Sequence, residues 1–122
     1  MDRKAMAVLV VEDEPLVRID IADYLRDCGY VVTEVGSAKE AIKVLQSTHV
    51  DLVFSDIQMP GEMDGDGLAR WVMGNRPDVK VILTSGRVRD CGVTIELIPK
   101  PYAQGAVASA IRYALMSSGD LA

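Results

Sequence analysis

Cysteine, histidine and aromatic residues are scarce in this chain: two cysteines, one histidine and 5% aromatics among 122 residues. Cys28 and Cys91 lie far apart, with no C-x-x-C pair and no histidine partner, so neither a disulfide framework nor a zinc pattern is encoded and both read as reduced thiols. Long apolar runs are missing as well. The stretch after Met6 is short and closes on acids, too short for a signal peptide or a bilayer span. A cytoplasmic location without membrane association is expected. Positive charge is in the minority, 13 Lys and Arg against 18 Asp and Glu for a net charge of -5. Such a surface repels nucleic-acid backbones and anionic membranes, so direct nucleic-acid binding is not expected. Repeats, linkers and low-complexity tracts are absent too.

What is present is apolar material for a core, 49% of the residues, in a chain the length of one ordinary domain. Five short runs rich in branched residues read as strands: Ala7 to Val11, Val31 to Val35, Leu52 to Ser55, Val79 to Leu83 and Thr94 to Ile98. Most are apolar throughout rather than alternating, so both faces of the sheet are covered. Between them run helical repeats: Val17, Ile21 and Leu25; Ala38, Ala41, Ile42 and Leu45; Leu68, Trp71 and Val72; and Val107, Ala110, Ile111, Ala114 and Leu115. Pro15 suits a first helical position. Ser37 with Glu40 three residues on predicts a reciprocal cap at the second helix. From Ser85 to Val93 two glycines interrupt the pattern, and a loop or single turn is expected. Strands alternating with helices predict an α/β fold: a doubly wound, five-stranded parallel sheet with about five helices on its two faces.

In such a sheet, ligands bind beyond the carboxyl ends of the strands, near the point where strand order reverses. Glu12, Asp13 and Glu14 follow the first strand and Asp56 follows the third, so at least three carboxylates should converge. Converging carboxylates repel unless protonated or neutralised, and an all-oxygen site with few protein ligands suits Mg²⁺. Thr84 and Ser85 follow the fourth strand with hydroxyls able to reach a phosphoryl oxygen, and Lys100 follows the fifth as a point charge for the same oxygens. Acids, hydroxyl and lysine together describe phosphoryl transfer, with Asp56 attacking phosphorus in line.

The ordered set Glu12-Asp13, Asp56-Ile57-Gln58-Met59-Pro60-Gly61, Leu83-Thr84-Ser85-Gly86 and Lys100-Pro101-Tyr102 resembles the receiver domain of two-component response regulators, over nearly the whole chain. The resemblance implies a flavodoxin-like fold and one receiver domain over residues 1–122 with no output domain. It implies that Asp56 takes phosphate from a phosphohistidine on a sensor histidine kinase or histidine phosphotransfer protein. Asp13, Asp56 and the backbone carbonyl of Gln58 would hold Mg²⁺, and Glu12 would act through a metal-bound water. Thr84 would move towards the phosphoryl group, and Lys100 would pair with one of its oxygens ahead of a peptide bond to Pro101 that is typically cis. The result is not an enzyme with a separate substrate. It is a switch that catalyses its own phosphorylation and slow dephosphorylation and changes its binding to a downstream protein effector. Dimerisation through the last helix stays open, as does the choice between a stand-alone regulator, which Met1 favours, and a domain of a larger protein such as a hybrid kinase.

Three features depart from the family pattern. Leu97 stands where receivers carry an aromatic ring that swings inward as the threonine moves. The interval from Thr84 to Lys100, 100 - 84 = 16 residues, leaves little room for a full fourth helix. The loop from Pro60 to Gly65 is one residue longer than the commonest form and adds Glu62. These put the output route in doubt and leave the acid, hydroxyl and lysine positions untouched. His49 reads as a surface residue without nearby acids, and Trp71 as packing. A haloacid-dehalogenase-type phosphatase would need a second Asp where Gln58 stands. A flavin or nucleotide site would need glycines rather than Glu12-Asp13-Glu14-Pro15 after the first strand. A receiver relic that binds partners without being phosphorylated would not need the intact acid, hydroxyl and lysine set.

Overall fold

Each of the five branched-residue runs contributes a strand in the computed structural model, which describes residues 5–86 and 96–116. They are β1 (Ala7–Val11), β2 (Val31–Val35), β3 (Leu52–Asp56), β4 (Lys80–Ser85) and β5 (Glu96–Pro99). All pair in parallel, in the order β2-β1-β3-β4-β5. This is the flavodoxin-like order, which reverses direction between β1 and β3. Four helices are described: α1 (Pro15–Asp27), α2 (Ala38–Ser47), α3 (Gly65–Asn75) and α4 (Gln104–Met116). The expected loop or turn before β5 falls largely on 87–95, outside the described residues, as do Cys91 and Thr94.

Alternation along each strand divides the core in two. Val8 and Val10 of β1, with Leu52, Phe54 and Ile82, pack against Ile21 and Leu25 of α1 and Val107 and Ile111 of α4. Their neighbours Leu9, Val11 and Val53 face the other way, against Ala41 and Leu45 of α2 and Leu68 and Val72 of α3. Each residue on β1 therefore chooses a layer by its parity. Because both layers are apolar, the central strands lose the polar alternation of a half-exposed sheet. Every residue of β3 is buried. Trp71 packs against the α2–α3 layer, as its helical spacing predicts.

Helix boundaries follow local chemistry. Pro15 is the first residue of α1, where its missing N–H leaves no unpaired donor. Gly29, at φ 102°, lets the chain turn out of α1 while Tyr30 N–H donates to Leu25 O at 3.2 Å. At α2 the Glu40 N–H donates to Ser37 Oγ at 3.2 Å, but the return bond differs from expectation: Glu40 Oε1 accepts from Gly36 N–H at 2.9 Å rather than from the Ser37 amide. Asp64 caps α3, its Oδ1 accepting from Gly67 N–H at 2.9 Å. His49 has an acid beside it after all. Its Nε2 lies 2.9 Å from Asp51 Oδ1, and Asp51 Oδ2 accepts the Ala7 N–H at 2.8 Å. The pair sits at the amino-terminal end of β1 and β3, opposite the strand ends that carry the acids, so His49 stays a surface residue.

Gly65 sits where a side chain has no room. A Cβ there would meet the carbonyl oxygen of Asp56 and come within 2.7 Å of Ile57 Cα, while its own N–H donates to Ile57 O at 2.9 Å. Backbone cannot yield as a flexible side chain does. Gly65→Ala should lower stability by about 1–3 kcal/mol, the range for overpacking, read as a drop in the urea midpoint; an unchanged midpoint would contradict this contact.

Candidate functional site

The strand order places the carboxyl ends of β1 and β3 side by side, and acids stand there: Glu12 is the first residue beyond β1 and Asp56 the last of β3. One carboxylate oxygen each from Glu12, Asp13 and Asp56 lies within 4.8 Å of the others. Glu12 and Asp56 are buried, at 5% and 6% exposure, whereas Asp13 is open to water. Glu14, the fourth acid of the sequence pattern, serves as the N-cap residue of α1 and stands outside this cluster.

Lys100 reaches in from the end of β5. Its Nζ donates to Glu12 Oε1 at 3.0 Å and to Asp56 Oδ2 at 3.1 Å. Its backbone N–H, bonded to Ser85 O at 2.8 Å, ties the loop to the end of β4, and the Lys100–Pro101 peptide is cis. Beyond it, Tyr102 packs edge-on against Phe54, ring centroids 5.7 Å apart. Burial lowers the proton affinity of the Lys100 ammonium, but the hydrogen bonds and charges of Asp56 and Glu12 outweigh it and leave the pKa raised. Glu12 is also raised: its burial outweighs the Glu14 N–H, which donates to Glu12 Oε2 at 3.0 Å, and the pull of Lys100.

Thr84 pairs with Asp56 across the β3–β4 register. Its hydroxyl oxygen is buried without a hydrogen-bond partner among the described residues. Ser85 points elsewhere than sequence reasoning places it: its hydroxyl donates to Gln58 Oε1 at 3.0 Å. The Gln58 N–H donates to Asp56 Oδ1 at 3.3 Å. Leu97 is half-buried against Ile57, Ala69 and Leu83. Sequence reasoning also overlooks Arg18. Its Nη1 donates to the Glu12 carbonyl at 2.9 Å, and its Nε lies 3.7 Å from Glu34 Oε1. Arg18 belongs to no motif; only its place one turn into α1 brings it to the acid loop.

The donor set suits a hard divalent cation. Three carboxylates carry three negative charges and Lys100 returns one positive, so 3 - 1 = 2 negative charges stay uncompensated, all on oxygen ligands. Exposed Asp13 leaves the cluster open to water, as a cation that keeps much of its hydration requires.

The response regulator receiver domain family matches residues 8–111. The sensor kinase CckA of Brucella abortus is 35% identical over 86% of this chain and 12% of the kinase, so the chain spans a small part of that relative. A response regulator receiver protein from Sinorhizobium medicae has a TM-score of 0.88 at 26% identity, covering 94% of this chain and 98% of that one. The response regulator TrrA of Thermotoga maritima, solved in complex with Mg²⁺ and BeF, has a TM-score of 0.81 at 26% identity, over 88% of this chain and 97% of that one.

A cation needs Glu12 ionised, and the raised pKa keeps its proton on to higher pH than the ordinary value of 4.5. Affinity for a divalent cation such as Mg²⁺ should therefore weaken on acidification, starting while the pH is still above 4.5. Calorimetric titration at falling pH checks it, and a profile that stays flat down to 4.5 contradicts it.

Proposed function

Because the chain belongs to the response regulator receiver family, we propose that it is a phosphoacceptor switch in which Asp56 accepts a phosphoryl group from a phosphohistidine. The donor is a sensor histidine kinase or a histidine phosphotransfer protein. The observation that carries this reading is the clustering of Glu12, Asp13 and Asp56 with Lys100 bridging two of them. The buried, unpartnered Thr84 hydroxyl at the same edge supports it.

Asp13, Asp56 and the Gln58 carbonyl would hold Mg²⁺, with Glu12 reaching it through water. When bound, the ion supplies charge neutralisation for the acids and for the phosphoryl oxygens. The chain's own residues do the rest. A carboxylate oxygen of Asp56 attacks phosphorus as the donor's P–N bond breaks, leaving the electron pair on the imidazole. The Lys100 ammonium, already 3.1 Å from Asp56, turns to a phosphoryl oxygen. The Thr84 hydroxyl gains the acceptor it lacks. Lys100 and Tyr102 border a cleft of about 500 Å³ with Val17 and Asp20 of α1, and Leu16 and Ile19 of the same helix are exposed. This face would receive the donor.

The product is an aspartyl phosphate formed and slowly lost by self-catalysis, and its presence would change binding to a downstream protein effector. One receiver unit across residues 1–122 accommodates every residue invoked. A cytoplasmic setting is part of the same reading; no helix among the described residues is long and apolar enough to cross a membrane. With Leu97 packed against Ile57 and Leu83, output would not use an aromatic swing at that position.

Incubation with acetyl phosphate and Mg²⁺ should add one phosphoryl group by intact mass, and Asp56→Asn should gain none. Modification of the Asn variant would move the phosphoacceptor elsewhere. Asp13→Ala should weaken Mg²⁺ binding by more than about tenfold; an unaltered affinity by titration would remove Asp13 from the metal site.

A further inference from the structure

Two donors at the acid edge are buried with no partner among the described residues, the Thr84 hydroxyl and Gln58 Nε2. The phosphoacceptor reading uses the first and leaves the second unexplained. Gln58 is anchored twice. Its main-chain N–H donates to Asp56 Oδ1 at 3.3 Å, and its side-chain Oε1 accepts the Ser85 hydroxyl at 3.0 Å. Ser85 follows Thr84, the register partner of Asp56. The carboxamide therefore bridges the ends of β3 and β4 with its oxygen fixed and its amide hydrogens left over. A buried N–H without an acceptor is rare in folded proteins and asks for a ligand that supplies one. The oxygen-rich group expected at this edge is a phosphoryl group on Asp56, whose oxygens each accept more than one hydrogen bond.

We infer that the Gln58 carboxamide is a further phosphoryl-oxygen donor and that Ser85 is the positioning residue that orients it. The inference rests on the phosphoacceptor reading of Asp56. In this arrangement the Ser85 hydroxyl holds the carboxamide by the oxygen, so that the nitrogen is the end free to donate.

Beryllofluoride with Mg²⁺, a stand-in for the phosphoryl group, separates the two claims. Gln58→Met, close in size and without a donor, and Ser85→Ala should each weaken beryllofluoride binding by about tenfold or more, the scale of a hydrogen bond to a charged group. The double variant should bind no more weakly than Gln58→Met alone, because the Ser85 hydroxyl bears on the phosphoryl group through Gln58. Ser85→Thr, which keeps the hydroxyl, should restore binding. Wild-type affinity in Gln58→Met overturns the inference, and additive losses overturn the role of Ser85. Should Gln58→Met fail to fold, the contrast between Ser85→Ala and Ser85→Thr decides: equal affinities overturn it. If the unaltered protein neither binds beryllofluoride nor accepts a phosphoryl group, the phosphoacceptor reading fails; if it does both and the variants match it, only the present inference fails.

Discussion

A single ammonium holds the site together. Lys100 Nζ lies 3.0 Å from Glu12 and 3.1 Å from Asp56, joining residues 88 and 44 positions away in the chain. Two buried carboxylates this close to each other and to Asp13 repel strongly, and taking them out of water is itself unfavourable. Neither penalty would be met if β5 were not seated beside β4, and β1 beside β3. The strand order is thus a requirement of the chemistry as much as a consequence of packing. The bridge compensates one charge of three and leaves the cluster still short of positive charge, which is why the site reads as one built to meet a cation.

Much of this was visible in the residues alone. Parallel strands buried on both faces announce themselves as unbroken branched runs, and the limits of β1 and β2 agree with those runs to the residue. The doubly wound order follows from the alternation of strands with helices, and with it the convergence of Glu12, Asp13 and Asp56, because residues just past parallel strands share one edge. The strands β3 and β4 run on to Asp56 and Ser85, past the ends of their apolar runs. Hydrophobicity marks the core and is silent about polar residues that still pair in the ladder.

What stayed hidden depends on side-chain direction and on long-range contact. Thr84 and Ser85 look equivalent in sequence, two hydroxyls at one strand end, yet one is left without a partner and the other is spent on Gln58. Successive side chains on a strand leave opposite faces, so adjacent residues seldom share a task. Arg18 reaches a main-chain carbonyl, an acceptor every residue carries, and no sequence pattern can single out its target. The partnership of His49 with Asp51 escapes the pattern for a plainer reason: both precede β3, in a bend whose side-chain directions no period fixes.

The absence of a side chain at position 65 has a mechanical meaning. Where most helices meet a neighbouring loop through flexible side chains that absorb small shifts, α3 here meets the peptide group of Asp56 backbone to backbone, with a hydrogen bond from Gly65 to Ile57 across the joint. A joint of that kind has almost no compliance. A displacement of the Asp56 carbonyl therefore has little slack before it meets α3, and through α3 the layer that this helix shares with α2.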